Sequence, residues 1–231
     1  MSKNKQPFVI AIDGPAGSGK GTVAKKLASE LNFHYLDSGA IYRIIAYAAK
    51  KKNINSESVD ELINLVKNSK ITFSEDNVLL DGNKISNFIR TESIGKLASE
   101  IAIHDKLRAS ILKYQRSFCK SPGLVAEGRD MASVVFPNAN LKIYLNASVD
   151  ERVKRRYKQL ISKGNDVNLS DLTREIAIRD KRDKDRKVSP LIKIKEAYVI
   201  ETDNLSEDET VNKILSLLNE NKGTDNSKLS E

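Results

Sequence analysis

The 231-residue chain contains one cysteine, two histidines and no tryptophan. The single cysteine, Cys119, excludes an internal disulfide framework and fits a reducing compartment. The histidines, His34 and His104, lie far apart without ligand-like spacing, so we predict neither a zinc site nor a histidine-based catalytic triad. Aromatic residues make up only 6% of the chain, which gives no support to a base-stacking platform for nucleic acid.

Long hydrophobic runs are also missing. No apolar segment approaches the length that a membrane-spanning helix needs, and the first residues, MSKNKQP, lack the apolar core of a signal peptide. Hydrophobic residues account for 39% and charged residues for 30% of the chain, which is typical of a globular protein. We therefore expect a cytoplasmic protein without a membrane partner, built as one α/β domain with an insertion.

The chain is basic, with 39 Lys and Arg against 31 Asp and Glu and a net charge of +8. Residues 150–187 hold thirteen of these basic residues and eight of the acidic ones. Arginines interspersed with aspartates are typical of a site that binds the phosphate and sugar of a small ligand in one geometry. A uniform basic patch, which suits nucleic acid, would lack the aspartates. We therefore predict a small phosphorylated ligand and no nucleic-acid partner.

The most specific signal is a glycine-rich turn between a predicted strand and a predicted helix. The apolar segment 8–13 runs into GPAGSGKGT at 14–22, and an amphipathic run follows. In such a turn the backbone N–H groups and the helix N-terminus face a polyphosphate, and Lys20 reaches its outer phosphates. The usual Ser or Thr after the lysine is replaced by Gly21. The residues predicted to bind a nucleoside triphosphate are Gly14, Pro15, Ala16, Gly17, Ser18, Gly19, Lys20, Gly21 and Thr22.

Five short strands alternate with helical segments along the chain. We predict them at 8–13, 33–36, 124–126, 141–145 and 197–200. This alternation predicts a parallel sheet with helices on both faces, whose ligands gather beyond the C-terminal ends of the strands. The segment 71–90 differs, because short apolar runs separated by polar turns indicate a small antiparallel unit.

Polar residues also follow the second and third predicted strands. Arg43 lies one turn into the helix after the second strand, where its planar guanidinium could bind a phosphate with two hydrogen bonds. After the third strand, a carboxylate of Glu127 or Asp130 can organise Mg²⁺ through water or form a hydrogen bond with a substrate, and Arg129 can neutralise a phosphate in transfer. Taken alone, each motif is also compatible with an ordinary surface arginine or a turn.

Two helices are predicted in the basic region. Ser148 and Glu151 form a capping box that opens the first helix, which carries Arg152, Arg155 and Arg156. A turn at 164–165 separates it from the second.

The second basic helix carries charges three and four residues apart, which places them on one face: Arg179, Arg182, Asp183 and Arg186. We predict that Pro190 ends this helix. An exposed helix with ion pairs would show the same pattern. A hinged pair of helices that carries arginines is also what a lid over a nucleotide needs, since closure must exclude water from phosphoryl transfer.

Taken together, these segments resemble bacterial cytidylate kinases, a family of P-loop nucleoside monophosphate kinases. The resemblance rests on IDGPAGSGKGT at 12–22, LDSGAIYR at 36–43, GRDM at 128–131, VVFP at 134–137 and the spaced arginines and aspartates of 179–186. It spans about residues 8 to 218 in order. It also accounts for Gly21, because these kinases commonly have Gly-Lys-Gly-Thr where GTPases have Gly-Lys-Ser/Thr.

The resemblance implies a P-loop nucleoside monophosphate kinase fold, an α/β fold with a five-stranded parallel sheet, helices on both faces, a lid and an acceptor-binding insertion. The organisation expected is a flexible N-terminus at 1–7, a single kinase domain at 8–218 and a flexible C-terminal tail at 219–231. Within the domain, the insertion is expected at about 62–92 and the lid at about 152–187.

The activity implied is ATP-dependent phosphorylation of CMP and dCMP to CDP and dCDP by in-line phosphoryl transfer, in pyrimidine nucleotide metabolism. ATP and CMP or dCMP would be the partners of a monomer. Mg²⁺ would arrive with ATP, without a direct protein ligand and with contact through water near Gly21 and Thr22. Lys20, Arg129 and Arg186 would be catalytic, and no general base is needed because the acceptor phosphate is already an anionic nucleophile.

The resemblance also implies the remaining contacts. Arg152 and Arg156 would join the glycine-rich turn in binding ATP. The residues implied for the acceptor are Arg43, Arg129 and Arg186 for its phosphate, Arg179 and Asp183 for its sugar, Ser99, Arg108 and Asp130 for the cytosine edge, and Ser38 and Tyr42 for the shape of the pocket. The chain departs from many relatives in having Ala16 in place of Ser and Ala132 in place of Gly.

Two other functions stay open on the sequence. A kinase of another monophosphate, UMP or AMP, would share the glycine-rich turn and the lid and would differ where Ser99, Arg108 and Asp130 meet the base. A GTPase or another nucleotide-driven binding module is disfavoured because the chain has no Asn-Lys-x-Asp segment that reads guanine. The sequence NKGT at 221–224 lacks the aspartate.

Overall fold

The computed structural model describes residues 6–73, 77–162, 164 and 166–227. These residues divide into two compact units. The first unit comprises the chain up to Leu36, the segment Phe118–Asp185 and the chain from Ser189 onward. The second comprises Asp37–Ser117 and Arg186–Val188.

The strands and helices follow each other as the sequence predicts, with small shifts at their ends. The strands are β1 (Phe8–Asp13), β2 (His34–Asp37), β3 (Ile71–Phe73), β4 (Val78–Leu80), β5 (Asn83–Lys84), β6 (Gly123–Gly128), β7 (Leu141–Asn146) and β8 (Tyr198–Glu201). The helices are α1 (Lys20–Glu30), α2 (Ser38–Lys51), α3 (Val59–Asn68), α4 (Glu92–Ile101), α5 (Asp105–Arg116), α6 (Val149–Ile161), α7 (Leu169–Asp185) and α8 (Glu207–Ser227). A 3₁₀ turn at Phe88–Arg90 and a short π-helical segment at Met131–Val135 complete the set.

A five-stranded sheet holds the core of the first unit, with the strand order β2-β6-β1-β7-β8. β1 pairs in parallel with β6 and β7, and β7 pairs in parallel with β8. The central strands are almost continuously apolar because both of their faces are covered. Ile10, Val125 and Ile143 are fully buried together with Leu27 of α1 and Ile214 of α8. The predicted parallel sheet of a P-loop kinase fold is therefore confirmed.

The second unit combines α2 to α5 with a three-stranded sheet of order β3-β4-β5. Both strand pairings in this sheet are antiparallel, which confirms the small antiparallel unit predicted at 71–90. The unit is larger than the insertion predicted at about 62–92. The reason is that α2 buries Ile41, Ile44 and Ile45 and packs against α3 and α4.

The second basic helix ends earlier than the sequence predicts. α7 stops at Asp185, so the predicted helical face does not include Arg186, and the prediction that the helix runs to Pro190 is wrong. Proline has no N–H to donate to the preceding turn and disfavours helical backbone in the residue before it. Ser189, the residue before Pro190, has a left-handed φ of 51°, which a right-handed helix cannot contain. The helix therefore unwinds before it reaches the proline.

The two chain ends are covered only in part. Of the predicted N-terminus 1–7, residues 1–5 lie outside the described residues. α8 continues to Ser227, past the start of the tail expected at 219–231, and the last four residues are again not described. The predicted turn at 164–165 has Gly164 with a φ of 74°, and Asn165 lies outside the described residues.

Among the helices of the described residues, none combines the length and the apolar composition that crossing a membrane would require.

Candidate functional site

The glycine-rich turn leads from the C-terminal end of β1 into α1. Gly14 lies so close to β7 that a Cβ would stand 2.1 Å from the backbone oxygen of Leu145, so no side chain fits there. Gly19 precedes the first residue of α1 with a left-handed φ of 85°, a conformation that costs other residues about 1–2 kcal/mol. These two glycines allow the chain to turn from strand to helix within a few residues.

Lys20 is the first residue of α1 and is 7% exposed. Its Nζ donates a hydrogen bond to the Pro15 carbonyl oxygen at 3.0 Å and lies 4.0 Å from Glu127 Oε2. Burial and, to a smaller extent, the positive charge of Arg129 lower the pKa of Lys20 to about 7, while the charge of Glu127 opposes the shift. The ammonium group is thus held inside the turn, at the place where the sequence predicts that it meets phosphate.

Gly21 faces the carboxylate of Glu127. A Cβ at this position would lie 3.2 Å from Glu127 Oε1, so the carboxylate occupies the space beside the position where other phosphate loops carry Ser or Thr. The Tyr35 hydroxyl donates to the same oxygen at 3.5 Å. Thr22 is exposed. A carboxylate and a hydroxyl are hard oxygen donors that suit a largely hydrated Mg²⁺, so these residues fit a Mg²⁺ held through water.

Direct coordination by a protein cluster has no support in the part of the chain that the structure describes. There, no group of three or more His, Cys, Asp or Glu side chains could hold a metal ion.

Asp13, the last residue of β1, is 3% exposed. Its Oδ1 accepts the backbone N–H of Met131 and its Oδ2 accepts the backbone N–H of Ala132, both at 2.8 Å. Burial raises the pKa of Asp13 to about 6, although the two backbone N–H groups favour the ionised form. Asp13 therefore joins the end of β1 to the π-helical segment that follows Arg129 and Asp130.

Arg129 pairs with Asp183 of α7. The Arg129 Nε donates to Asp183 Oδ2 at 2.7 Å, and the Arg129 guanidinium also donates to the Gly128 carbonyl oxygen at 3.2 Å. Burial alone would lower the pKa of Arg129, but the charge of Asp183 and its hydrogen bond raise it above the usual value. The structure thus brings together Arg129 and Asp183, two residues that the sequence predicts in the acceptor site.

Arg152, predicted to bind ATP, is 3% exposed and makes several contacts within the protein. Its guanidinium pairs with Asp180 at 2.6 Å and donates to the carbonyl oxygens of Ala147 and Ala16. Arg156, the second arginine predicted for ATP, is partly buried and donates to Gln159 of the same helix.

Sequence reasoning did not include Arg155 among the site residues. Its guanidinium donates to the Ser18 carbonyl oxygen at 3.5 Å and to the Thr202 carbonyl oxygen at 2.5 Å. The Thr202 hydroxyl also donates to Ser18 at 3.3 Å. No spacing rule indicated this contact, because Thr202 and Ser18 meet only through the pairing of the strands.

The second unit holds Ser38, Tyr42 and Arg43 on α2. The Ser38 hydroxyl accepts a hydrogen bond from Gln115 Nε2 at 2.8 Å. Arg43 donates to the carbonyl oxygens of Ile89 at 2.8 Å and Thr91 at 3.2 Å. The structure therefore fixes the guanidinium of Arg43 against the backbone that leads into α4.

Two residues that are predicted to contact the cytosine base are also buried in this unit. Ser99 is 7% and Arg108 is 8% exposed. The Arg108 guanidinium lies 5.4 Å from the centre of the Tyr42 ring and donates to the Ala102 carbonyl oxygen at 3.1 Å. Arg186 belongs to the same unit and is 9% exposed. Arginines are rarely this buried unless they are paired, and Arg108 has its partners within the protein. The assignment of these residues to the acceptor stays a prediction.

Comparison with known proteins assigns the family. The model of the family described as cytidylate kinase matches residues 10–220. Proteins named cytidylate kinase are similar along nearly the whole chain. The protein from Nitrosomonas europaea is 44% identical over 217 residues, covering 94% of this chain and 97% of the relative. The protein from Polynucleobacter asymbioticus is 50% identical over 207 residues, covering 90% and 94%. The chain belongs to the cytidylate kinase family.

Proposed function

We propose that this protein phosphorylates CMP and dCMP with ATP, giving CDP, dCDP and ADP. The observation that carries the proposal is the family match over residues 10–220. It is supported by the phosphate loop at the end of β1, in which a buried lysine follows two glycines that no other residue could replace without strain.

The reaction needs little covalent chemistry from the protein. The acceptor phosphate is itself the nucleophile, so the protein must offset the repulsion between two anions and stabilise the charge on the phosphoryl group in transfer. Lys20, Arg129 and Arg186 are the cations that we assign to this task. Mg²⁺ supplies further neutralisation when it is bound with ATP, and Glu127 and Thr22 would hold it through water.

We assign the ATP phosphates to the loop of residues 14–22, with Arg156 as a further cation. Arg152 would act on ATP through the loop, since its guanidinium donates to the Ala16 carbonyl oxygen. For the acceptor, we assign Arg43, Arg129 and Arg186 to the phosphate and Arg179 with Asp183 to the sugar. The residues assigned to the cytosine and the pocket around it are Ser99, Arg108, Asp130, Ser38 and Tyr42.

The proposal includes a monomer in the cytoplasm that has neither a membrane nor a nucleic-acid partner. The placement of arginines beside aspartates, as in Arg129 with Asp183 and Arg152 with Asp180, supports the last point. Such pairs neutralise part of the basic charge that nucleic acid would otherwise attract.

The test is ATP consumption with CMP, dCMP, UMP, AMP and GMP offered one at a time. We expect turnover with CMP and dCMP and much less with the others. Activity with AMP or UMP alone would show that the acceptor base is not cytosine, while the proposed phosphoryl transfer from ATP would still hold. ATP consumption that is independent of any monophosphate would instead support a nucleotide-driven binding module.

A further inference from the structure

Asp13 is a buried carboxylate that the proposed reaction does not use. It ends β1 and directly precedes Gly14, the first residue of the phosphate loop. A carboxylate in such a place loses hydration, which costs free energy unless hydrogen bonds replace the water. Asp13 receives two such bonds, one to each oxygen, from Met131 and Ala132.

These two bonds anchor one particular turn of the chain. β6 ends at Gly128, Arg129 and Asp130 follow, and the π-helical segment starts at Met131. The first N–H groups of any helical segment have no partner within it. A carboxylate that accepts two consecutive N–H groups therefore fixes the start of the segment, and with it the backbone of the two residues just before it.

Arg129 and Asp130 carry side chains that the proposed function assigns to the acceptor nucleotide. Arg129 is held at its side chain by Asp183, and Asp130 is held at its backbone, where its carbonyl oxygen accepts the N–H of Val134 at 2.9 Å. Neither contact sets where the turn lies relative to β1. The pairing of β1 with β6 places Gly128 beside Asp13, and the two bonds that Asp13 accepts attach the far side of the turn, at Met131 and Ala132, to the same strand.

We propose that Asp13 is a positioning residue for the acceptor nucleotide, which acts by fixing the backbone at Met131 and Ala132 and thereby the side chains of Arg129 and Asp130. This inference rests on the proposed function, because it assumes that those two side chains bind CMP. Asp13 touches neither substrate in this account.

The experiment compares Asp13→Asn and Asp13→Ala with the natural protein. The asparagine keeps one acceptor oxygen and the alanine keeps none, so the KM for CMP should rise by about tenfold in the first variant and by more in the second, given what a hydrogen bond to a charged group contributes. The KM for ATP should stay within about twofold in both. Asp203→Asn is the matched control, since Asp203 also accepts a backbone N–H, that of Ser148, but in an exposed loop. It should leave both KM values unchanged.

Amide hydrogen exchange gives a readout that needs no activity. In Asp13→Ala, the amides of Met131 and Ala132 should both exchange at least about tenfold faster, and in Asp13→Asn at least one of them should, while amides in β7 keep their rates. An equal rise in both KM values, an unchanged KM for CMP, or unchanged exchange at both amides would overturn the inference. If the natural protein itself does not phosphorylate CMP, the proposed function fails, and that result is distinct from any of these.

Discussion

At the scale of single residues, the phosphate loop shows how space and charge select an amino acid. Gly14 has the backbone of β7 as its neighbour, whereas Gly21 has only the end of the Glu127 side chain. Backbone cannot move aside, but a flexible carboxylate can. The two glycines should therefore respond differently to the same substitution.

We expect Gly14→Ala to destabilise the protein by about 2–3 kcal/mol, because overpacking against fixed backbone forces the loop to shift. Gly21→Ala should leave the free energy of unfolding nearly unchanged, since alanine is favoured within α1. It should nevertheless lower turnover, because the new methyl group displaces Glu127. Urea unfolding and ATP consumption measure the two effects. Equal destabilisation by both substitutions would contradict this account.

Lys20 leads to a prediction about protons. Its pKa is lowered to about 7, so at pH 8 about nine-tenths of the lysine is neutral in the free protein. ATP phosphates favour the charged form and raise the pKa again. We therefore expect ATP binding at pH 8 to take up close to one proton, and at pH 6 only about a tenth of one.

Calorimetry in buffers with different ionisation enthalpies measures this uptake. Lys20→Met should abolish it at pH 8, because methionine has no ionisable group. The same variant should lose turnover by about a hundredfold or more, since it removes a cation from the charge that develops in transfer. Proton uptake at pH 8 that persists in the variant would show that another group is responsible.

At the scale of elements, α6 and α7 are joined by a buried ion pair. Arg152 of α6 and Asp180 of α7 are largely buried, and Arg152 also reaches the phosphate loop at Ala16. The packing of Val153 against Leu172 and Ile176 adds an apolar contact between the two helices. The predicted lid thus has a small core of its own.

Removing one partner of this ion pair should destabilise the folded protein. Asp180→Ala leaves the Arg152 charge buried without its carboxylate, for which we expect a loss of about 3 kcal/mol in the free energy of unfolding. Asp208→Ala is the control, because the pair of Lys26 with Asp208 is exposed and should contribute little. Thermal unfolding measures both variants, and the midpoint of Asp208→Ala should match that of the natural protein. If the midpoint of Asp180→Ala also matched it, the pair of Arg152 with Asp180 would not stabilise the fold.

At the scale of the whole molecule, the two units carry different parts of the predicted chemistry. The first unit carries the phosphate loop with Lys20, and the second carries α2 with Arg43. The assignments predict that each residue serves mainly one ligand. Ligand-induced shifts in the thermal midpoint can separate them, because a ligand that binds only the folded protein stabilises it in proportion to its affinity.

We expect ATP and CMP each to raise the thermal midpoint of the natural protein. Lys20→Met should reduce the shift produced by ATP and retain the shift produced by CMP. Arg43→Lys should reduce the shift produced by CMP and retain the shift produced by ATP. A lysine cannot reproduce the two parallel hydrogen bonds of a guanidinium to phosphate. If either substitution reduced both shifts equally, the assignment of that residue to one ligand would be wrong.

Much of this protein follows from the sequence alone. The strand of 8–13, the glycine-rich turn and the later apolar segments fixed the parallel sheet, because the alternation of short apolar strands with amphipathic helices has few other solutions. The family resemblance came from the same motifs. The end of α7 was predicted wrongly: helical spacing continues through Arg186 in the sequence, but the helix ends at Asp185 and Ser189 before Pro190 is not helical.

Tertiary structure decided which side chains meet. The sequence identified Lys20, Gly21 and Glu127 separately, but only the pairing of β1 with β6 brings the carboxylate to the start of α1. In the sequence, Asp13 is only the last residue of an apolar strand. In the structure, its two hydrogen bonds with Met131 and Ala132 join positions more than a hundred residues apart. Local patterns fix elements because they act over a few residues, whereas such contacts depend on how the strands are ordered in the sheet.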